Sequence, residues 1–373
     1  MRRTIARAML AASIVAAPAA WSMDIVVGQV APMSGLEANQ GRAYAAGMEL
    51  LFKQVNKAGG VNGHRFTLVR KDDGGRPEDT LSATRELITE SKPLVLAGYF
   101  GNKNVADLIA SGLLNNERLV LVGYRSWELR ADAPNVYNVR AGLREEINKI
   151  IEHLATIGIT RLAMLYEAGP GSVNLVLAAD EAAKKSKAQL VAHASYPSGT
   201  TTVTPAVDQF VKAQPQAILL VATGAAAAGF VELYRAAGGT GQIFTHSGAD
   251  VEQMAKRLSD EQLQGVAIAQ VTPSPYKISS KIAKELKDVL AGSDKPDVPV
   301  SYAMIEGFIA GKVIVEAVRR QGRAPTREGI AAALDSMDNF DVGGYAVGYK
   351  SGSRTGSKYV ELSIVSGAGK IRQ

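Results

Sequence analysis

The stretch Asp24-Ile-Val-Val-Gly-Gln-Val-Ala-Pro-Met-Ser-Gly35 decides the fold, and the stretch Asn56-Lys-Ala-Gly-Gly-Val-Asn-Gly63 completes the unit that it begins. The apolar run of the first stretch predicts a buried strand, which leads into a Ser/Gly-rich turn. A helical run follows from Gly41, and the second stretch predicts the tight turn that ends it. Free backbone amides beside a helix start, at the carboxyl end of a strand, are where ligands bind in open α/β sheets.

The same strand–loop–helix unit repeats along the chain. An alternating strand is predicted at Phe66–Lys71 and apolar strands at Pro93–Gly98 and Leu119–Gly123, with amphipathic helices between them. This alternation predicts a parallel sheet that is covered on both faces. A break follows at Asp132–Arg140, and a second series of units then starts with the strand Arg161–Tyr166. We therefore predict two doubly wound lobes.

A helix-rich section follows the second series. Helices are predicted at Lys277–Leu290, Ser301–Arg320 and Thr326–Ser336, with short strands at Asp341–Tyr349 and Tyr359–Val365. We expect these helices to pack back on the first lobe, so that the chain crosses between the lobes more than once.

The amino-terminal residues are typical of a secretory signal peptide. A basic segment, Met1–Arg7, precedes a short apolar run, Ala8–Ala17, and then small residues suited to cleavage at Ala17-Pro-Ala19 or Ala20-Trp-Ser22. An amphipathic amino-terminal helix is the alternative. The chain has no cysteine, which excludes disulfides, thiolate metal sites and the acylated cysteine of a lipoprotein. We expect a periplasmic protein without a lipid anchor.

Charge and motifs give little support for nucleic-acid binding or catalysis. The formal net charge is +6, three units of which lie in the leader, and no basic stripe with interleaved aromatics is present. No two of the four histidines have metal-ligand spacing. After the loop Glu167–Ser172, Asn174 stands where a dinucleotide loop has its third glycine, and no G-x-S-x-G elbow occurs. We expect no cofactor, no metal and no enzyme activity.

Polar and aromatic residues follow several predicted strands. Loops on two facing lobes would form a cleft that offers amides, hydroxyls, an aromatic face and an arginine fork to a small polar ligand. Ordinary turn and cap residues are the alternative explanation for each position. The predicted ligand-binding residues are Ser34, Gln40, Tyr99, Asn102, Asn104, Tyr124, Arg125, Ser126, Gly171, Ser172, Thr223 and Ser247.

Arg125 is the most specific of these candidates, because it lies just past the fourth predicted strand. Its guanidinium could bind a ligand carboxylate with two parallel hydrogen bonds. The alternative is a surface arginine that forms an ion pair with Glu128 or Asp132.

Several of these stretches together resemble the type I periplasmic solute-binding proteins of ABC transporters, and the leucine/isoleucine/valine-binding group most of all. The resemblance rests on Ala31–Gly35, Val55–Gly63, Asp72-Asp73, Leu96–Gly98 and, later in the chain, on Tyr137–Ala141 and Val342–Tyr349. It implies two lobes joined by three crossover strands, which close on a ligand like a hinged trap. The implied divisions are a signal peptide at 1–22, lobe 1 at 23–141 plus 273–345, and lobe 2 at 142–272 plus 346–373.

The resemblance also implies a function, namely capture of a solute and its delivery to permease subunits at the inner membrane. The tyrosines and the acid that amino-acid binders of this group carry in the second lobe match Gly or Ala in this chain, at Gly171, Ala225, Ala226 and Gly248. An ammonium group needs an anionic or aromatic partner. With Arg125 present, the expected ligand is a carboxylate that has no amine. The wider class of expected ligands is a small polar organic solute that is a carboxylate or resembles an amino acid. A sensor module of the same fold and an enzyme on this scaffold are the alternative functions.

Overall fold

The protein is described from a computed structural model that covers residues 24–126, 133–169, 171–349 and 354–365, with the backbone of 371–372. The predicted signal peptide lies outside these residues, as do Glu128 and Asp132. Two separate sheets, each with helices on both faces, form the two lobes. None of the helices in these ranges is long and apolar enough to span a membrane.

The first sheet has five parallel strands in the order β2-β1-β3-β4-β5. Its first strand is buried almost throughout, as the apolar run predicts. The strands are β1 Asp24–Ala31, β2 Arg65–Asp72, β3 Val95–Phe100, β4 Leu121–Arg125 and β5 Val136–Tyr137. The helices between them are α1 Ala38–Lys57, α2 Pro77–Ser91, α3 Asn102–Ala110 and α4 Leu113–Asn116.

The second sheet has seven strands in the order β14-β13-β10-β9-β8-β6-β7. The five strands β6 to β10 are parallel, and β13 and β14 add an antiparallel edge. The strands are β6 Arg161–Glu167, β7 Gln189–Tyr196, β8 Ala217–Val221, β9 Gln242–Thr245, β10 Ala267–Gln270, β13 Glu361–Val365 and β14 Ile371–Arg372. The helices are α5 Leu143–Thr156, α6 Ser172–Lys185, α7 Thr204–Ala213, α8 Gly224–Ala236, α9 Val251–Arg257 and α10 Asp260–Leu263.

The helix-rich section packs on the first sheet, which confirms the prediction. It consists of α11 Lys281–Ala291, α12 Tyr302–Gln321 and α13 Arg327–Asp335, followed by a two-stranded hairpin, β11 Phe340–Asp341 and β12 Ala346–Val347. Ile282, Phe308 and Ile314 share one hydrophobic core with Val27 of β1. Tyr349 belongs to the same core, so the first lobe extends beyond the expected boundary at residue 345.

Helix α12 crosses α1 at a distance that only glycine allows. A Cβ atom on Gly307 would overlap the backbone carbonyl of Tyr44, and one on Gly47 would overlap the carbonyl of Met304. Both helices are almost wholly buried here, because each lies between the sheet and its neighbour. The crossing fixes α12, and with it Glu306, against the first sheet.

Three segments connect the lobes, and hydrogen bonds hold them side by side. The Tyr345 hydroxyl lies 2.8 Å from the Val139 carbonyl and 2.9 Å from the Val271 carbonyl, on the first and second connections. The third connection pairs with the first, since Asn138 donates its amide hydrogen to the Arg354 carbonyl at 2.8 Å. A bundle of short parallel connections is the arrangement of a hinge.

Some local predictions differ from the structure. Between β3 and β4 the structure has two helices and not one: the apolar pattern of Val105, Leu108, Ile109, Gly112 and Leu113 predicts a single helix, but α3 ends at Ala110, because Gly112 adopts a left-handed conformation and the short α4 begins after it. The helices α9 and α10 were not predicted, and β5 lies within the expected break. Each of these elements has seven residues or fewer, which is too short for a clear apolar period.

Candidate ligand-binding site

A cavity of about 540 Å³ lies between the carboxyl ends of the two sheets. This volume is within the range of about 300–1,000 Å³ that is typical of small-molecule sites. The loops after β1, β2, β3 and β4 form one wall, and the loops after β6, β7, β8 and β9 form the other. Residues at a topological switch point thus come together from both lobes, as this type of fold predicts.

Six of the twelve predicted binding residues line this cavity. They are Gln40, Asn102, Asn104, Arg125, Ser126 and Thr223. Five belong to the first lobe, and Thr223 is at the start of α8 in the second. The side-chain amide of Asn104 already has partners within the protein. It donates to Thr80 Oγ1 at 2.7 Å in a buried cluster that includes Asp73.

Tyr99 and Tyr124 lie elsewhere, in the hydrophobic core between the first sheet and its helices. Both side chains are fully buried, and the Tyr99 hydroxyl is 3.0 Å from Thr84 Oγ1. Alternation along a strand explains this result, since neighbouring side chains point to opposite faces. The aromatic residue that does line the cavity is Phe100.

Four other predicted residues are also absent from the cavity lining. Ser34 is exposed and donates its backbone hydrogen to Asp72, and Gly171 with Ser172 begins α6, where the Ser172 hydroxyl donates to the Gly169 carbonyl at 2.7 Å. Ser247 is buried, and its hydroxyl donates to Glu146 at 3.0 Å. The contacts of Ser34, Gly171 and Ser172 are those of turn and cap residues, the alternative that the sequence left open, whereas Ser247 is part of a buried polar network with Glu146.

The guanidinium of Arg125 is bound by a glutamate of the protein itself. Its Nε and Nη2 atoms lie 3.1 and 2.9 Å from Glu306 Oε2, and its Nη1 atom donates to Gln40. The Arg125 side chain is 8% exposed, so it is not the surface arginine of the alternative interpretation. Because Glu306 neutralises it, Arg125 is also not a free receptor for a ligand carboxylate.

A second arginine extends this ion-pair network to the other lobe. Arg140 Nη2 lies 3.1 Å from Glu146, and Arg140 Nη1 lies 3.5 Å from Glu306. Glu146 also accepts the backbone hydrogen of Ser247 at 2.7 Å. Two arginines and two glutamates thus balance one another at the hinge side of the cavity.

His246 is held in a neutral state with a defined tautomer. Its Nε2 atom lies 3.2 Å from the Ala222 carbonyl, which can only accept, so Nε2 carries the proton. Its Nδ1 atom accepts the backbone hydrogen of Gly248 at 3.2 Å. Burial, helped by the positive charge of Arg140, lowers the pKa of His246 to about 3.

Two glutamates that the sequence analysis did not consider also line the cavity, one from each lobe. Glu167 is the last residue of β6 and is 7% exposed; it accepts hydrogen bonds from Ser198 Oγ at 2.5 Å and from the Gly199 amide at 3.2 Å. Glu37 precedes α1, is half-buried, and accepts from Gln40 Nε2 at 2.6 Å. The available signal for Glu167 was its place at the end of an apolar strand.

Burial raises the pKa of Glu37 to about 7, and the negative charge of Glu167 contributes to the same rise. Arg125 and the hydrogen bond from Gln40 oppose it. Among the described residues, no group of three or more metal-ligating side chains is placed to hold an ion.

Comparisons with known proteins agree with this architecture. A sequence profile described as periplasmic binding protein matches residues 24–362. A Leu/Ile/Val-binding protein homolog 7 from Brucella melitensis is 22% identical over 363 residues, which span 92% of this chain and 88% of the relative. The chain belongs to the periplasmic binding proteins of type I, in the group that resembles the leucine/isoleucine/valine-binding proteins.

Solved structures of the same architecture are also similar. A substrate-binding periplasmic protein from Ralstonia solanacearum is 37% identical with a TM-score of 0.88, and the match covers 94% of this chain and 99% of that one. A branched-chain amino acid ABC transporter protein from Thermus thermophilus with bound valine is 18% identical, with a TM-score of 0.79 and coverage of 94% and 95%. This family is one of solute-binding proteins.

Proposed function

We propose that this protein is the periplasmic solute-binding component of an ABC importer. It captures a small polar organic solute between its lobes, leaves it chemically unchanged, and delivers it to permease subunits at the inner membrane. The observation that carries the proposal is the 540 Å³ cavity, which both lobes line with hydrogen-bonding groups beside a hinge of three connections. The basic and apolar leader supports export to the periplasm.

Closure of the lobes would follow from contacts that span the cleft. Asn102 Nδ2 of the first lobe lies 3.4 Å from Glu167 Oε2 of the second, and Gln253 Nε2 of the second lobe donates to the Leu36 carbonyl of the first at 2.8 Å. A solute that also touches both lobes adds differential affinity for the closed state. It therefore shifts the population toward closure.

Calorimetric titration of the mature protein against carboxylates and amino acids, the two solute classes expected from the sequence, tests the proposal. Small-angle scattering with and without each ligand that binds should show a smaller radius of gyration in the complex. A ligand that binds in the cavity without any compaction would contradict the trap mechanism.

The partnership with an importer needs its own test. Deletion of the gene should abolish uptake of the identified solute by intact cells, and the gene carrying its leader should restore it. Normal uptake in the deletion strain would argue against the transport role and leave the protein as a binding module only.

A further inference from the structure

Every positive charge that the described residues bring to the cavity wall is paired with an acid of the protein. These residues give the wall four cationic side chains, and each forms an ion pair: Arg76 with Asp79, Lys103 with Asp107, Arg125 with Glu306 and Arg140 with Glu146. The first two pairs are exposed and hold their cations only weakly. The two buried pairs are fixed, since separating them would leave a charge without a partner in a dry environment.

Besides the exposed Glu78, two more shielded acids of the same wall lack such a partner. Glu37 and Glu167 form no ion pair with any residue that the structure describes, although both accept hydrogen bonds from neutral groups. They come from opposite lobes, and Glu167 is close enough for its charge to act on Glu37. Closing the lobes therefore brings two carboxylates together in a desolvated space, which is unfavourable without a positive charge between them.

The other residues of the wall indicate the chemistry of the uncharged part of the solute. Leu36, Phe100 and Leu143 give the cavity apolar surface beside the two acids. The fixed arginines offer no free guanidinium to a carboxylate. Once each described cation is cancelled by its ion-pair partner, the acids without a partner leave the wall net negative. Such a wall with apolar patches is complementary to an organic cation rather than to a zwitterion or an anion.

We infer that the solute is a net cationic amine or guanidine without a carboxylate, and that its charged nitrogen lies between Glu37 and Glu167. The inference rests on the proposed function and replaces the amine-free carboxylate that the sequence suggested. The ammonium or guanidinium donates hydrogen bonds to one carboxylate of each lobe. The solute thus supplies the missing charge that lets the cleft close.

Binding of such a cation should be linked to a proton. In the empty cleft Glu37 has a pKa of about 7, and a bound cation lowers it, so binding at pH 7 releases up to about half a proton. The charged groups that act on Glu37 are Arg125 of β4, Glu167 of β6 and Asp250 before α9, and the Tyr196 hydroxyl of β7 also faces it. Affinity should fall as the pH drops below 7, by up to about tenfold per pH unit.

Two series of probes, each with one side chain carried by an amine, an amino acid and a carboxylate, distinguish cationic, zwitterionic and anionic solutes. We would titrate 2-phenylethylamine, L-phenylalanine and 3-phenylpropanoate, then 2-methylbutylamine, L-isoleucine and 3-methylpentanoate, with agmatine and 1,5-diaminopentane as larger cations. Amines should bind at least tenfold more tightly than the amino acid of the same skeleton, and carboxylates should not bind measurably. Tightest binding of an amino acid or a carboxylate would overturn the inference while leaving the proposed function intact. Absence of binding by every probe would count against both.

Two isosteric variants test the site itself. Glu37→Gln and Glu167→Gln should each weaken binding of the best amine at least tenfold, and Glu37→Gln should also abolish the proton release measured in buffers of different ionisation enthalpy. Glutamine retains an acceptor for Gln40 or Ser198, so both variants should fold, which the melting temperature of the empty protein checks. Glu90→Gln is the matched control, because it removes the same charge from the exposed face of α2, outside the cavity. It should change neither the affinity for the amine nor the proton release. Wild-type amine affinity in both cavity variants would refute the placement of the nitrogen.

Discussion

Arg125 illustrates what sequence can and cannot say about a single residue. Its position after a buried strand was sufficient to place it at the cleft, and the structure has it on the cavity wall. Its partner Glu306 is 181 positions away along the chain, on a helix that returns from the end of the sequence. A local pattern therefore identifies the guanidinium but cannot show that it is already neutralised.

Removing this guanidinium should affect stability first. Arg125→Met removes the nearer of the two cations beside Glu306 and leaves only Arg140, 3.5 Å away and shared with Glu146. We therefore expect a loss of up to about 3–5 kcal/mol in the free energy of unfolding, measured with urea. The double variant Arg125→Met/Glu306→Leu should recover most of that loss. Arg76→Met, which breaks an exposed pair, should cost less than about 1 kcal/mol. Full stability of Arg125→Met together with weaker solute binding would restore Arg125 as a ligand receptor.

His246 provides a pH-dependent test. Its folded-state pKa of about 3 is below the ordinary value of 6.5, so the unfolded chain binds more protons between these values. Its contribution to stability is present above pH 6.5 and is lost as the pH falls. The stability difference between the wild type and His246→Gln should shift by about 1.5 kcal/mol against the wild type from pH 6.5 to 5. The comparison also cancels the opposite effect of Glu37, and a constant difference would show that His246 titrates normally.

At the scale of elements, periodicity predicted the long helices and buried strands because their apolar faces are extended. The strand Asp24–Ala31 and the helix Tyr302–Gln321 are examples. Short elements such as α9 and α10 depend on caps, like the Ser259 hydroxyl that accepts from the Gln262 amide, rather than on a long apolar face. Tyr99 is buried and Phe100 lines the cavity because they alternate at the end of β3. The sequence predicted this strand two residues too early, so both residues fell outside it.

The α1–α12 crossing gives a prediction for this scale. Gly307→Ala should lower the free energy of unfolding by about 1–3 kcal/mol or more, because its methyl group meets backbone atoms of α1 that cannot move away. Gly229→Ala is the matched control in a helix, since nothing lies within contact of its Cβ position. That change should stabilise the protein by about 0.5–1 kcal/mol through helix propensity. Urea unfolding measures the free energy of unfolding of both variants. Equal changes in the two variants would mean that the helices at the crossing can move apart to admit the methyl group.

For the whole molecule, the sequence predicted two lobes and repeated crossings, but not the two acids that line the cavity from opposite lobes. Glu37 and Glu167 belong to different lobes, so their proximity exists only after both lobes are folded and closed. In the sequence, Glu37 lies in an ordinary turn before a helix and Glu167 lies at the end of a strand, and neither setting marks a binding residue. Properties of the cleft that depend on both lobes at once therefore require the structure.

The contact between Gln253 and the Leu36 carbonyl should influence the balance of open and closed forms. Gln253→Ala removes this bond between the lobes and should increase the radius of gyration of the empty protein in small-angle scattering. Gln209→Ala removes a comparable bond to the His193 carbonyl within the second lobe and should leave that radius unchanged. An identical scattering profile for both variants would show that Gln253 does not hold the cleft shut.

The three crossings also decide when the protein can fold during its synthesis. The first sheet needs α12 to cover one face, and the second needs β13 as a neighbour of β10, so each half waits for a late part of the chain. A nascent chain that has reached only Pro299 exposes a bare apolar sheet face, the condition in which chaperones bind and proteases cut. Released chains truncated at Pro299 should stay protease-sensitive, and resistance should arise only when the chain extends beyond Val365.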